Sequence, residues 1–310
     1  MKASFWILGF LAFLFSEAFA SPFCGTSRIQ KHFRDGKIFR ATARSANISA
    51  TSCEPEFYYD TSAVKERKTS RFRIYYVLDG PHKTSEAWID SLAKSLDAAW
   101  NFHVQKHGTK KPKGANPTWH FQKSGDENLY PVEVLDISLV RDNAGLLGGF
   151  CTACMGLTFP PEASNPAATE IIIDNDFLYP DESNPAVKQI PESFCTYVRS
   201  TLPVTNSITG KNYSKDYGLA LRTTAAHEFY HAIQAAYINF LEYDSYWFEA
   251  SAAALEEIAS PDADDYWLYL PSLFQSTGIP FDRIGSNYGL AVWGLYNLHA
   301  WNENFDTRLW

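Results

Sequence analysis

Residues 219–240 read LALRTTAAHEFYHAIQAAYINF, and the architecture of the chain turns on them. The stretch has no Gly or Pro and is mostly apolar, the pattern of a helix buried on most sides. In its central part His227, Glu228, His231 and Gln234 are the main polar exceptions. Residues four apart on an α-helix share a face, about 6 Å apart along the axis. His227 and His231 therefore turn two imidazoles toward one point, with Glu228 at the edge of that face. Burying these groups without partners costs several kcal/mol, and a bound cation offsets the cost. The plain alternative is a pair of core histidines hydrogen-bonded to backbone.

The five residues HEFYH are an instance of H-E-x-x-H, in which two imidazoles bind zinc and the carboxylate reaches an activated water. A catalytic zinc takes three protein ligands and leaves one position open. The longer H-E-x-x-H-x-x-G-x-x-H version fails here, because residue 234 is Gln and residue 237 is Tyr. Glu249 follows His231 after seventeen intervening residues, a gap that suits a helix end, a reversal and a second helix packed on the first. His227, His231 and Glu249 are thus the expected metal ligands, Zn2+ the expected ion, and Glu228 the expected general base.

The wider composition narrows the partners. The chain has 310 residues, enough for one large domain or two small ones with ample core. Its 27 basic and 35 acidic residues give a net charge of −8, which argues against nucleic acid and anionic membranes. An aromatic content of 15% fits a packed globular domain. The N-terminus carries Lys2, an apolar run over residues 5–15 and the small-x-small site Ala18-Phe19-Ala20, which together read as a secretory signal peptide over 1–20. That run is too short to span a bilayer, and no other stretch is long enough, so no membrane span is expected after its removal. The expected location is secreted, periplasmic or at the cell surface. Export permits disulfides among Cys24, Cys53, Cys151, Cys154 and Cys195. Cys24 with Cys53 is one expectation. A bridge involving Cys151 or Cys154, with each other or with Cys195, is another, and one thiol is left over.

Residues 21–68 show little periodicity and are expected to be irregular, ahead of a single domain over 69–310. Strands are predicted over 71–78 (RFRIYYVL), 130–140 (YPVEVLDISLV) and 170–173 (EIII). A helix is predicted from Thr84 or Ser85 to about His103, with Ile89, Leu92, Leu96, Ala99 and Trp100 as its apolar stripe. Residues 145–156 are Gly-rich and read as a loop near the cleft. Asp174-Asn175-Asp176 lacks the Gly and terminal Glu of a calcium loop and reads as a turn. Helices are further predicted over 246–259, capped by Asp244 or Ser245, and over 263–275 and 287–301. The fold class is α+β.

Residues 247–252 (WFEASA) resemble the W-x-E-(G/A)-x-A signature of gluzincin zinc peptidases, which contributes the third ligand. The helix Ala226–Gln234 resembles the A-H-E-F-x-H-A-I-Q helix of a family of secreted bacterial metalloproteases. That resemblance also takes in 72–80, 172–177 (IIDNDF), 247–257 and Tyr288-Gly289, and so most of 70–300. It implies a zincin-like fold, with a twisted sheet, a backing helix and the motif helix beneath a cleft, followed by a helical C-terminal part. It implies an exported zinc peptidase acting on a peptide or protein substrate. A thermolysin-type pattern would put an Asp four residues after the third ligand, where this chain has Ala253. Glu256, Asp174 or a backbone carbonyl is left to orient the imidazoles. Tyr288, in a Ser-Asn-Tyr-Gly turn, is the candidate oxyanion donor, with Tyr243 and Tyr246 as rivals. Two other readings stand beside this one: a catalytically silent zincin-like binding protein, and zinc hydrolysis of a non-peptide bond.

Overall fold

A computed structural model of the chain describes residues 23–24, 64–79, 82–115, 128–137, 154–160, 164–180, 201–239, 245–275, 277–281 and 287–301. The signal peptide, Cys53, Cys151, Cys195, Tyr243 and most of the 21–68 segment lie outside these residues, as does the side chain of Tyr246.

The sheet comprises β1 (Phe23–Cys24), β2 (Lys65–Lys68), β3 (Phe72–Tyr76), β4 (Lys113–Gly114), β5 (Tyr130–Leu135), β6 (Cys154–Phe159) and β7 (Ala168–Asp174). Its order is β1-β6-β7-β5-β3-β2, with β4 paired to β7 beside that path. Strands β3, β5 and β7 run parallel, while β6 and β2 run antiparallel to their neighbours β7 and β3. Parallel strands need a crossover, and between β3 and β5 it is helix α1 (Glu86–Trp100). Ser85 caps α1 by accepting from the Trp88 N–H at 3.2 Å. The helix then continues as a π-helical stretch, Asn101–Lys106.

A small hairpin of β8 (Leu178–Pro180) and β9 (Thr201–Pro203) precedes the motif helix α2 (Tyr217–Ala235). Helix α3 (Ser245–Ala259), a 3-10 turn (Asp265–Tyr269), α4 (Leu270–Gln275), a second 3-10 turn (Asn287–Leu290) and α5 (Ala291–Trp301) complete the chain order. The α+β class and the helical C-terminal part are as expected. No helix among the described residues is long and apolar enough to cross a membrane.

Strand register decides what meets what. Ile74, Val132 and Ile171 are aligned across β3, β5 and β7, and Thr158 of β6 is aligned with Ile171. Side chains alternate along a strand, so this row and the rows two residues away share one face. That face meets α1 and α2, and Phe229 of α2 packs its ring 5.2 Å from Phe72 and 5.4 Å from Trp100. Tyr75, Glu133, Ile172 and Leu157 form the aligned row on the opposite face, and all four are buried too.

Two expectations need correction. Residues 154–156 are not loop: they open β6, whose six residues are all buried. The Gly156 in that strand marks a close approach of another chain segment, not a break in structure. Residues Lys65–Lys68 also form a strand within the segment expected to be irregular, antiparallel to β3. Charges on a sheet-edge strand, here KERK, leave no apolar alternation to read. The turn at Asp174 is as read, since its Oδ1 accepts from the N–H groups of Asp176 and Phe177. Cys154 is disulfide-bonded.

Candidate metal centre

Two helices build the site. On α2, the four-residue spacing brings His231 Nε2 to 3.1 Å from His227 Nε2. From α3, Glu249 Oε2 lies 3.2 Å from His227 Nε2 and 3.4 Å from His231 Nε2. The three residues are buried, and together they can hold a metal ion. Small side chains at Ala252 and Ala253, which share the core with α2, let α3 approach closely enough for one carboxylate to reach both rings.

The outer nitrogens of the two rings are fixed as well. Gln234 Nε2 donates to the Phe248 carbonyl at 3.0 Å and to Ser251 Oγ at 2.9 Å. Because a carbonyl only accepts, the amide must present its Oε1 to His231 Nδ1, 2.7 Å away. His231 Nδ1 therefore donates. Glu256 Oε2 lies 2.7 Å from His227 Nδ1, so that nitrogen donates too. Both Nδ1 atoms thus donate outward, which leaves both Nε2 atoms facing the shared point. Aromatic rings clamp their faces: Phe248 stacks on His231 at 4.9 Å, and Tyr288 stacks on His227 at 5.7 Å.

Electrostatically the site favours one positive charge. Burial works against a charged His227, but hydrogen bonds to Glu249 and Glu256 raise its pKa to about 10. Burial likewise works against the Glu249 carboxylate, yet the charge of His231 and the hydrogen bonds to both rings hold its pKa far below the usual carboxylate range. A proton satisfies this arrangement, and so does a cation.

Glu228 occupies the neighbouring position, 1% exposed, and lines a cleft open to solvent. Thr158 Oγ1 on β6 sits 2.8 Å from both Glu228 Oε2 and the Glu228 main-chain oxygen, sharing its proton between them. A Cβ on Gly156 would stand 2.6 Å from Glu228 Cγ and 2.8 Å from Thr224 Cγ2. Glycine is thus required where β6 passes the carboxylate. Tyr288 lines the cleft and stacks in turn on Tyr269, 4.7 Å between rings.

The structure brings His227, His231 and Glu249 together and sets Glu228 and Tyr288 beside them in the cleft. Of the candidate acceptors for the imidazoles, Glu256 is the one on His227. Asp174 is instead engaged by the N–H groups of Ile137, Asp176 and Phe177. Three contributors are not assigned a role from sequence: Gln234, Thr158 and Gly156. Gln234 carries a partial signal, being a buried polar residue three positions after a ligand. Thr158 and Gly156 carry none, since their role depends on strand register.

The chain matches no protein-family model, no curated protein and no solved structure. The site therefore rests on its own geometry and chemistry.

Proposed function

We propose that this chain is an exported zinc-dependent peptidase that uses Glu228 as general base. The observation that supports it most is the triangle of His227 Nε2, His231 Nε2 and Glu249 Oε2, with sides of 3.1, 3.2 and 3.4 Å. Tetrahedral zinc with ligands at about 2.0–2.1 Å has its ligand atoms roughly 3.3 Å apart, so these atoms suit it with little movement. Two imidazoles and one carboxylate form a donor set typical of catalytic zinc, in which one position stays open. Bound there, zinc supplies Lewis acidity and lowers the pKa of water to about 7.

The chain's own groups account for the proton path. Glu228 accepts a proton from the attacking water and delivers it to the leaving amine. Thr158 keeps the carboxylate oriented toward the cleft, and Gly156 leaves room for it. Tyr288 is the candidate donor to the developing oxyanion. Met155 and Gly156 of strand β6 line the cleft beside Glu228. The parallel β3-α1-β5 unit, with α2 against the same sheet face, agrees with a zincin-like arrangement. The N-terminal signal pattern carries the proposal of export, and the net charge of −8 speaks for a substrate other than nucleic acid.

The test is elemental analysis of the dialysed protein together with turnover of Glu228→Gln on a peptide library. The expected result is about one zinc per chain, retained in Glu228→Gln, with cleavage reduced roughly 10²- to 10⁴-fold. A dialysed chain without zinc, or a Glu228→Gln variant as active as the parent, overturns the reading.

A further inference from the structure

The cleft contains a carboxylate that the proposed hydrolysis does not use. Asp265 opens the 3-10 turn Asp265–Tyr269, is 7% exposed, and lines the same cleft as His227 and Glu228. Its Oδ1 accepts from Asn206 Nδ2 at 3.2 Å and from the Tyr213 hydroxyl. These donors belong to the segment after β9, more than fifty residues away in sequence, and both hold Oδ1. Its second oxygen, Oδ2, has no hydrogen-bond partner among the described residues.

Among the described residues no cation is paired with this group. Lys211 acts on Asp265 from a distance, but its ammonium donates to the main-chain oxygens of Asp262 and Ala263. Burial and the nearby charge of Glu256 raise the Asp265 pKa, as expected of a carboxylate short of countercharge. Among the described residues no Lys or Arg lines the cleft, whereas Glu228, Glu256 and Asp265 all do. Adding Glu249 behind them gives four carboxylates against the two charges of a divalent ion. Tyr266, Tyr269 and Tyr288 supply aromatic wall around the same space. Negative charge inside a partly desolvated aromatic pocket selects for an ammonium or guanidinium.

Resting on the peptidase reading, we infer that the cleft holds a subsite, centred on Asp265 and walled by Tyr266 and Tyr269, for a cationic group of the substrate. That group is either a Lys or Arg side chain close to the scissile bond or a free peptide N-terminus. Asp265 is a specificity residue and takes no part in the proton transfers assigned to Glu228.

Calorimetric titration of the zinc-loaded Glu228→Gln protein tests it without requiring turnover. The probes are short peptides containing Arg or its neutral isostere citrulline, each with a free or an acetylated N-terminus. Binding of the Arg peptide is expected to be about tenfold or more tighter than that of its citrulline twin if the side chain fills the subsite. A loss of similar size on acetylation identifies the N-terminus instead. Asp265→Asn, which keeps an oxygen for Asn206 and Tyr213, is expected to abolish most of the preference and leave citrulline binding unchanged. The comparison of charged and neutral probes on Asp265-containing protein does not depend on that variant folding. Equal binding of all four probes overturns the inference, as does a full preference in folded Asp265→Asn. Charge-selective binding without hydrolysis of any peptide by the parent protein would retain the subsite and remove the peptidase reading; hydrolysis with no charge preference would do the reverse.

Discussion

Two carboxylates in this molecule are equally hidden from water and behave oppositely. Glu249 on α3 is 1% exposed and Glu170 on β7 is 0% exposed. Burial alone disfavours the charged form of each. Around Glu249 two imidazoles reverse that effect and keep the carboxylate ionised. Glu170 lies on the sheet face turned away from the helices, and neither of its oxygens has a hydrogen-bond partner among the described residues. Burial and then the like charge of Glu133 push its pKa well above the usual range. Depth of burial therefore does not mark a metal ligand; the donors arranged around the carboxylate do. One setting is poised for a cation, and the other holds a proton.

The most severe way to break this contrast is to remove the ionised member. Glu249→Ala is expected to lower zinc affinity roughly 10³-fold, since it takes away a ligand and leaves two buried imidazoles uncompensated. Glu257→Ala, one residue beyond Glu256 on the same helix, is expected to leave affinity nearly unchanged. Competition titration against a chelator of known affinity measures both, and parental affinity in Glu249→Ala would refute the ligand assignment.

Next in size is a change on the sheet side of the cleft. Gly156→Ala inserts a methyl where Glu228 Cγ and Thr224 Cγ2 already stand, so Glu228 has to move. Turnover is expected to fall on the order of 10²-fold with zinc content intact, because a small displacement of a catalytic group has that scale. Loss of zinc along with activity would show that β6 supports the metal residues and not the base alone.

Smaller effects are expected from the groups that set the tautomers. Glu256→Gln removes the charge behind His227, and Gln234→Ala removes the acceptor behind His231. Each is expected to cost about 10- to 100-fold in zinc affinity. Unaltered affinity in both would mean that the ring orientation is set by the stacked Phe248 and Tyr288 alone.

The smallest effect belongs to Glu170 and appears as a slope. Its folded-state pKa lies above its unfolded value of about 4.5, so the folded chain keeps a proton that the unfolded chain releases. The resulting stability is fully present below pH 4.5 and is lost as pH rises toward the folded-state value. Glu170→Gln is expected to flatten that decline by up to about 1.4 kcal/mol per pH unit. Urea midpoints collected between pH 5 and 8 give the slope, and identical slopes in the two proteins would place a countercharge beside Glu170.

Much of the metal centre is legible in the order of residues along α2 and α3. His227, His231 and Glu228 share a helix, and a helix with an unbroken apolar surround has one geometry for positions i and i+4. Glu249 follows from one further step, the reversal into α3. The helix at 86–100 is likewise marked by its apolar stripe and N-cap, and the helix at 245–259 by a capping residue, which are local properties. The strand at 154–159 is concealed because Gly156 reads as a loop residue until its neighbour is known.

Local spacing along the chain marked the candidate ligands, the candidate base and the α+β class. Tertiary structure decided which groups support them. Thr158 reaches Glu228 across seventy residues, Asp265 is pinned by Asn206 across fifty-nine, and Glu256 reaches His227 across twenty-nine. No periodicity encodes such pairs, because they exist only once strand register and helix packing have brought distant backbone together. The physical reason is that a helix fixes its own neighbours through the backbone at every turn, whereas a buried polar side chain finds its partner only where the rest of the fold has placed one.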